Sequence, residues 1–148
     1  MYQRILIATD GSELAGKAVN HGIALAKRLN VPVTVVTVTE SWSALELGRM
    51  ARQGNLNPVN QFEEMATAAA TGILDKVRQT ATSQGVTCDV VHVQDQHPAE
   101  GIIATAKKTG CDLIVMASHG RRGFDRVLLG SQANEVLTLS KVPALIVR

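Results

Sequence analysis

Five short runs of β-branched and aliphatic residues constrain this chain more than any other feature: Arg4-Ile5-Leu6-Ile7-Ala8-Thr9, Pro32 to Val38, Asp89 to Val93, Leu113 to Ala117 and Ala144 to Val147. Nearly unbroken apolar runs of this length are the pattern of strands buried on both faces, because neither face has to meet water. The segments between them follow a different period. Ala15, Ala18, Val19, Gly22, Ile23, Ala26 and Leu29 recur at helical spacing, with Lys17, Asn20, His21, Lys27 and Arg28 on the opposite side. Asn60 to Ser83, rich in Ala, Met, Leu and Ile, predicts a longer second helix with Gly85 as its stop signal. Pro98 opens a third helix that runs to Gly110, and a fourth starts near Ser131 and ends before Pro143. Each strand-to-strand crossover therefore contains a helix, which predicts a parallel sheet with helices on both faces, a doubly wound α/β fold. The least regular stretch, Glu40 to Val59 with Gly48, Gly54, Pro58 and the sole tryptophan Trp42, reads as a mobile flap over one side of the sheet's crevice.

Composition narrows the class further. With 148 residues, 45% hydrophobic and 3% aromatic, the chain fits one domain over 1–148 with an aliphatic core. No apolar stretch approaches the ~20 residues that span a bilayer, so no membrane association is expected. The first residues lack the charged region, long apolar region and cleavage site of a secretory leader, and the expected location is the cytoplasm. Cys88 and Cys111 lack metal-ligand spacing and read as buried small hydrophobes rather than a disulfide. A net charge of +2, with only one Trp, one Tyr and two Phe, gives no stacking platform beside Arg121, Arg122 and Arg126, so nucleic acid is not an expected partner.

In a doubly wound sheet the ligand crevice lies beyond the carboxyl ends of the strands, which directs attention to the segments after the first and fourth runs. Gly11 to Ala18 matches the phosphate-loop pattern GxxxxGK but has Ala18 where the magnesium-holding Ser or Thr belongs. Ala15, Ala18 and Val19 also continue the helical stripe, so the helix is predicted to begin near Ser12, leaving no loop to wrap a phosphate. The dinucleotide pattern GxGxxG is absent there too. After the fourth run, Ala117 to Ser131 holds three glycines, three arginines and a Gly-Ser pair ahead of a helix. Glycines permit close backbone approach, Ser131 is placed to cap the helix, and unpaired N–H groups at a helix start favour an anion. The same residues also suit a plain turn, an ordinary cap and a solvated arginine rim, and composition alone leaves both readings open.

Asp10-Gly11-Ser12 after the first strand, Asp112-Leu113-Ile114-Val115-Met116 in the fourth, and the spacing of Gly120 and Gly130-Ser131 resemble the universal stress protein family over the whole chain. The signature of its nucleotide-binding branch is Gly, two residues, Gly, nine residues, Gly, then Ser or Thr. Here Ala117 takes the first position, and Gly120, Gly130 and Ser131 keep the rest. The resemblance implies a five-stranded sheet of order 3-2-1-4-5 with ATP, carrying magnesium, across the carboxyl ends of strands one and four. It places Ala8, Thr9 and Asp10 along the adenosine, Val38 against adenine, and Met116 and Ala117 under the ribose. Gly120, Gly130, Ser131, Gln132 and Ala133 would receive the phosphates, with His119, Arg121 and Arg122 close by. If position 117 required a positive φ, alanine there would cost on the order of 1 kcal/mol. The resemblance further implies a homodimer through the C-terminal edge strand, Ala144 to Val147, besides protein partners that the sequence does not name.

No catalytic residue is assigned. Asp10 has no second carboxylate in the motif loops to share acid–base work, and an Asp before Gly-Ser is also a common helix cap. His92, Asp95 and His97 lack a further ligand and are not read as a metal site. His97 reads as a surface histidine, and His119 is the one histidine placed to orient water. The expected function is an ATP-binding regulatory module without efficient catalysis. The alternatives are a stress protein that acts through partners without nucleotide, or a slow ATPase.

Overall fold

The computed structural model describes residues 1–121 and 128–148. Its elements run β1 (Ile5–Ala8), α1 (Glu13–Leu29), β2 (Val33–Thr39), α2 (Ala44–Arg52), α3 (Pro58–Ser83), β3 (Cys88–Gln94), α4 (Pro98–Thr109), β4 (Leu113–Ala117), α5 (Ser131–Leu139) and β5 (Ala144–Val147). All four strand pairings are parallel, in the order β3-β2-β1-β4-β5. The expected doubly wound α/β sheet is thus observed, with strand ends within one residue of the apolar runs.

Alternation along the strands sorts the core into two layers. Ile5, Ile7, Val33, Val35, Leu113, Val115 and Ala117 face α1 and α3, meeting Ala18, Val19, Ile23, Leu74 and Val77. Leu6, Ala8, Val36, Ile114 and Met116 face α4 and α5, meeting Ala99, Ile102, Ala106, Ala133 and Val136. Full burial of each large aliphatic side chain contributes about 1.5–3 kcal/mol, so β1, with no exposed residue, anchors both layers. Gly22 lets α1 lie close to this strand: a Cβ there would come within 2.6 Å of Ile7 Cδ1.

Two expectations change. All five runs were expected to be buried on both faces, but the two edge strands, β3 and β5, are only partly covered because each has a neighbour on one side. Cys88, on β3, is accordingly half-buried, while Cys111 is in the core. The segment expected to be a mobile flap contains helix α2, closed by a capping box in which Ser43 Oγ accepts from the Glu46 N–H and Glu46 Oε2 accepts from the Ser43 N–H. Only Met50 of this helix is buried, and α2 packs on α3. Among the described residues, no helix is long and apolar enough to cross a membrane.

Candidate functional site

Connections from β1 run to one side of the sheet through β2 and β3, and the chain then crosses to β4 and β5 on the other. The order reverses between β1 and β4, so the crevice at their carboxyl ends is the switch point where such sheets take ligands. Helices α1, α4 and α5 all begin at this edge, each offering N–H groups that the helix itself does not use. Two of these starts are closed by side chains. Ser12 caps α1, its Oγ accepting from the Ala15 N–H at 3.2 Å. At α4 the N-cap His97 makes no side-chain capping bond, and Gln132 reaches across from α5, its Oε1 accepting from the Ala99 N–H at 2.9 Å. Helix α5 differs. Its N-cap is Gly130, with no side-chain cap and no acidic residue in the first turn among the described residues. Ser131, expected to be the cap, is instead the first residue inside the helix, because the entering turn falls on the residue that must be smallest.

That residue is wedged against protein. Gly130 N–H donates to Ser118 O at 2.7 Å, and a Cβ at position 130 would lie 2.6 Å from the same oxygen. Ser118 N–H in turn donates to Val147 O at 2.8 Å, fixing the start of the loop to β5. The second signature glycine is crowded in the same way: a Cβ on Gly120 would lie 3.0 Å from Asp10 Oδ2. Both glycines are therefore explained by space inside the fold before any ligand is considered. Ala117, which replaces the first signature glycine, is the last residue of β4, pairs with Val147 and points its methyl into the α1 layer. Its φ is not positive, so the conditional strain at this position does not arise.

Asp10 joins the two loops. Its Oδ1 accepts from the Ser12 N–H at 2.9 Å and its Oδ2 from the Arg121 N–H at 2.9 Å. The neighbouring Thr9 is buried; its Oγ1 accepts from the Gly11 N–H, and its carbonyl accepts from Thr37 Oγ1. Gly11 adopts φ +79°, and the Arg121 guanidinium lies near it, Nη2 being 3.2 Å from where a Cβ would stand. Gly16 and Lys17 lie inside α1, so the phosphate-loop match is a coincidence of helix sequence, as the stripe suggested.

Of the remaining expected site residues, Ala8, Val38, Met116 and Ala133 share the α4–α5 layer, Val38 resting its methyls on Gly101 of α4. Ala117 faces the opposite layer, since consecutive strand residues alternate. His119 Nδ1 lies 3.0 Å from Ser118 Oγ. Arg122 lies outside the described residues.

Two further histidines, His92 and His97, are engaged in the fold. His97 is more than a surface residue: Nε2 lies 2.9 Å from Glu135 Oε2 and Nδ1 3.8 Å from Glu40 Oε1, linking α5 to the end of β2. His92 Nε2 lies 2.7 Å from Thr39 Oγ1, and burial pushes the imidazole below the ordinary histidine value. Among the described residues, no three His, Cys, Asp or Glu side chains converge as metal ligands. A hollow of about 450 Å³ runs along Asn60, Glu63, Glu64, Thr67, Ala68 and Gln94, on α3 and the end of β3 rather than at the switch point.

The model of the universal stress protein family matches residues 1–148. The chain belongs to the universal stress protein family. It is similar to universal stress protein MJ0531 of Methanocaldococcus jannaschii, 31% identical across 100% of this chain and 83% of that protein. In structure it is similar to MJ0577 of the same organism, with a TM-score of 0.81, 27% identity and coverage of 99% of this chain and 96% of that one. A universal stress protein solved in complex with cAMP shares the fold at a TM-score of 0.73 and 24% identity, covering 99% of this chain and 97% of its own. Asp10, Gly120, Gly130 and Ser131, which carried the resemblance, meet at the switch point of this universal stress protein. The sequence did not single out Ser118, whose carbonyl receives Gly130. Its only signal is its place between the last strand residue and the signature glycine.

Proposed function

We propose that this universal stress protein binds an adenine nucleotide, ATP with magnesium in the first instance, and serves as a cytoplasmic stress-response module rather than an efficient enzyme. The observation that carries the reading is the start of α5, a helix N-terminus without a side-chain cap, set beside the β1–β4 switch point. The N–H groups of Ser131, Gln132 and Ala133 suit phosphate oxygens, and the positive end of the helix favours their charge. Gly120, His119, Arg121 and Arg122 complete the phosphate side. Ala8, Thr9, Asp10 and Val38 border the base, with Met116 and Ala117 beneath the ribose. Magnesium would ride on the phosphates and take its protein contact from the Ser131 hydroxyl at the start of α5. The complex of another family member with cAMP supports an adenine ligand.

A ligand that binds only the folded state stabilises it by mass action, about 2.7 kcal/mol at a hundredfold excess over Kd. ATP with magnesium is thus expected to raise the melting temperature, and nucleotide is expected to remain with the purified protein. A protein that carries no nucleotide and gains no stability from ATP, ADP or AMP would point to action through protein partners alone.

We also propose a homodimer through β5, an edge strand whose Leu145 is exposed. An antiparallel copy of the same strand would cover it. Sedimentation at micromolar concentration is expected to give twice the monomer mass, and a monomer would overturn the proposal.

A further inference from the structure

We infer that Asp10 acts on the nucleotide site as a positioning residue, fixing Arg121 at the start of the loop after β4, rather than as a hydrogen-bond partner of the adenosine. This rests on the nucleotide reading above and assigns one residue of that site a different task. Both carboxylate oxygens are already placed on main-chain donors: Oδ1 takes the Ser12 N–H and Oδ2 the Arg121 N–H, each at 2.9 Å. The two donors lie far apart in sequence, on the loops after β1 and β4, so one side chain staples the two walls of the crevice. A charged acceptor on N–H donors makes a stronger bond than a neutral one.

Gly120 gives a second, independent indication. The position of its missing Cβ is 3.0 Å from Asp10 Oδ2, so a methyl there would press on the oxygen that receives Arg121. The glycine leaves room for the carboxylate. At the far end, Gly130 closes the loop on Ser118 O and delivers the chain into α5. Staple and closure together set where the Arg121 charge and the α5 N–H groups stand relative to each other. Loss of the staple should therefore disturb phosphate recognition, although Asp10 carries the wrong charge to touch a phosphate.

The test compares wild type, Asp10→Asn and Gly120→Ala, using ATP, 2′-deoxy-ATP and inorganic tripolyphosphate as probes, each with magnesium. Asparagine keeps the shape but replaces one acceptor oxygen by an NH₂ group, which cannot accept from an N–H. The expected result is that Asp10→Asn weakens all three probes by a similar factor, about tenfold, with the preference between ATP and 2′-deoxy-ATP unchanged. Gly120→Ala, which keeps the carboxylate but presses on its Oδ2, should weaken the same three in the same proportion. In the ligand-free protein, amide hydrogen exchange at Arg121 should accelerate about tenfold in both variants, with Ile7 and Val115 unchanged.

A loss confined to ATP, with tripolyphosphate unaffected, would overturn the inference and return Asp10 to the adenosine. Unchanged exchange at Arg121 in Asp10→Asn would overturn it as well. Wild-type protein that binds none of the probes would defeat the nucleotide reading, and the exchange measurement would still decide whether Asp10 holds the loop.

Discussion

The amino and carboxyl ends of the central β1–β4 pair are each tied by one aspartate, yet the ties close different kinds of connection. At the amino end Asp112 accepts from the Gln3 N–H at 2.8 Å and the Arg4 N–H at 3.2 Å, while its own N–H donates to Arg4 O at 3.0 Å. The chain arrives there by a tight turn from α4, whose C-cap Gly110 is left-handed at φ +67°. Arg4 continues the network sideways, its Nη1 lying 2.9 Å from Asp89 Oδ2 on β3. At the carboxyl end Asp10 makes the same type of bond, but its partner Arg121 belongs to the longer connection from β4 to α5, which Gly130 closes on Ser118. One end spends its carboxylate on aligning strands. The other uses it to shape main chain that faces solvent at the switch point, beside a helix start without a side-chain cap. The same chemistry thus closes a tight turn at one end and a longer connection at the other.

Breaking the carboxyl end should have the largest effect. Gly130→Val places a branched side chain against Ser118 O, a main-chain atom that cannot move aside, and is expected to abolish the ATP-dependent rise in melting temperature. The overpacking itself should cost about 1–3 kcal/mol of stability in the absence of nucleotide. A variant that kept the full ATP response would place the ligand elsewhere.

Breaking the amino end should cost stability alone. Asp112→Ala removes the acceptor for two N–H groups at the sheet margin and is expected to cost about 1 kcal/mol, read by calorimetry as a fall of about 2–4 °C. Affinity for ATP should stay at the wild-type value. A change in affinity would show that the two ends are coupled and blur the contrast.

Acid sharpens the comparison with a smaller effect at the carboxyl side of β3. Burial lowers the His92 pKa below the unfolded value of about 6.5, so the unfolded chain takes up this proton first. Its contribution to stability is full above that pH and declines as pH falls toward the folded pKa. His92→Asn should flatten the melting-temperature profile slightly between about pH 7 and 5. A variant whose profile is as steep as wild type would assign the acid response to other groups.

The smallest effect is expected in turnover. Among the described residues no three His, Cys, Asp or Glu side chains converge, Asp10 is engaged by two main-chain N–H groups, and His119 Nδ1 is turned to Ser118 Oγ. Hydrolysis of ATP should stay below ~1 s⁻¹, the low end of ordinary enzyme rates, and His119→Ala should leave it unchanged. Turnover of several per second that disappears in His119→Ala would make the carboxyl end an active site.

The fold was legible where burial wrote a period into the sequence. β1 and β4 are covered on both faces and α1 buries one face, so every residue facing the core had to be apolar. Helix α2 was not legible that way, since Met50 alone is buried. Its signal was local, the Ser43-Ala44-Leu45-Glu46 capping pattern, which outweighs Gly48 in setting the helix start. The candidate site was legible only as spacing. Gly120 and Gly130 could be named from the motif, but their reason, the oxygens of Asp10 and Ser118, depends on the meeting of loops distant in sequence. The exchange of caps is hidden for the same cause: nothing in Gln132 or Ala99 announces that a side chain of α5 closes α4.

The bond from Gly130 to Ser118 makes the connection between them a ring whose ends are pinned to the sheet. A pinned ring can change length without moving what it hangs from, and doubling a flexible loop costs only ~0.6 kcal/mol in closure entropy. By closure entropy alone, a change of length between Ser118 and Gly130 therefore costs the fold little, because both ends stay held.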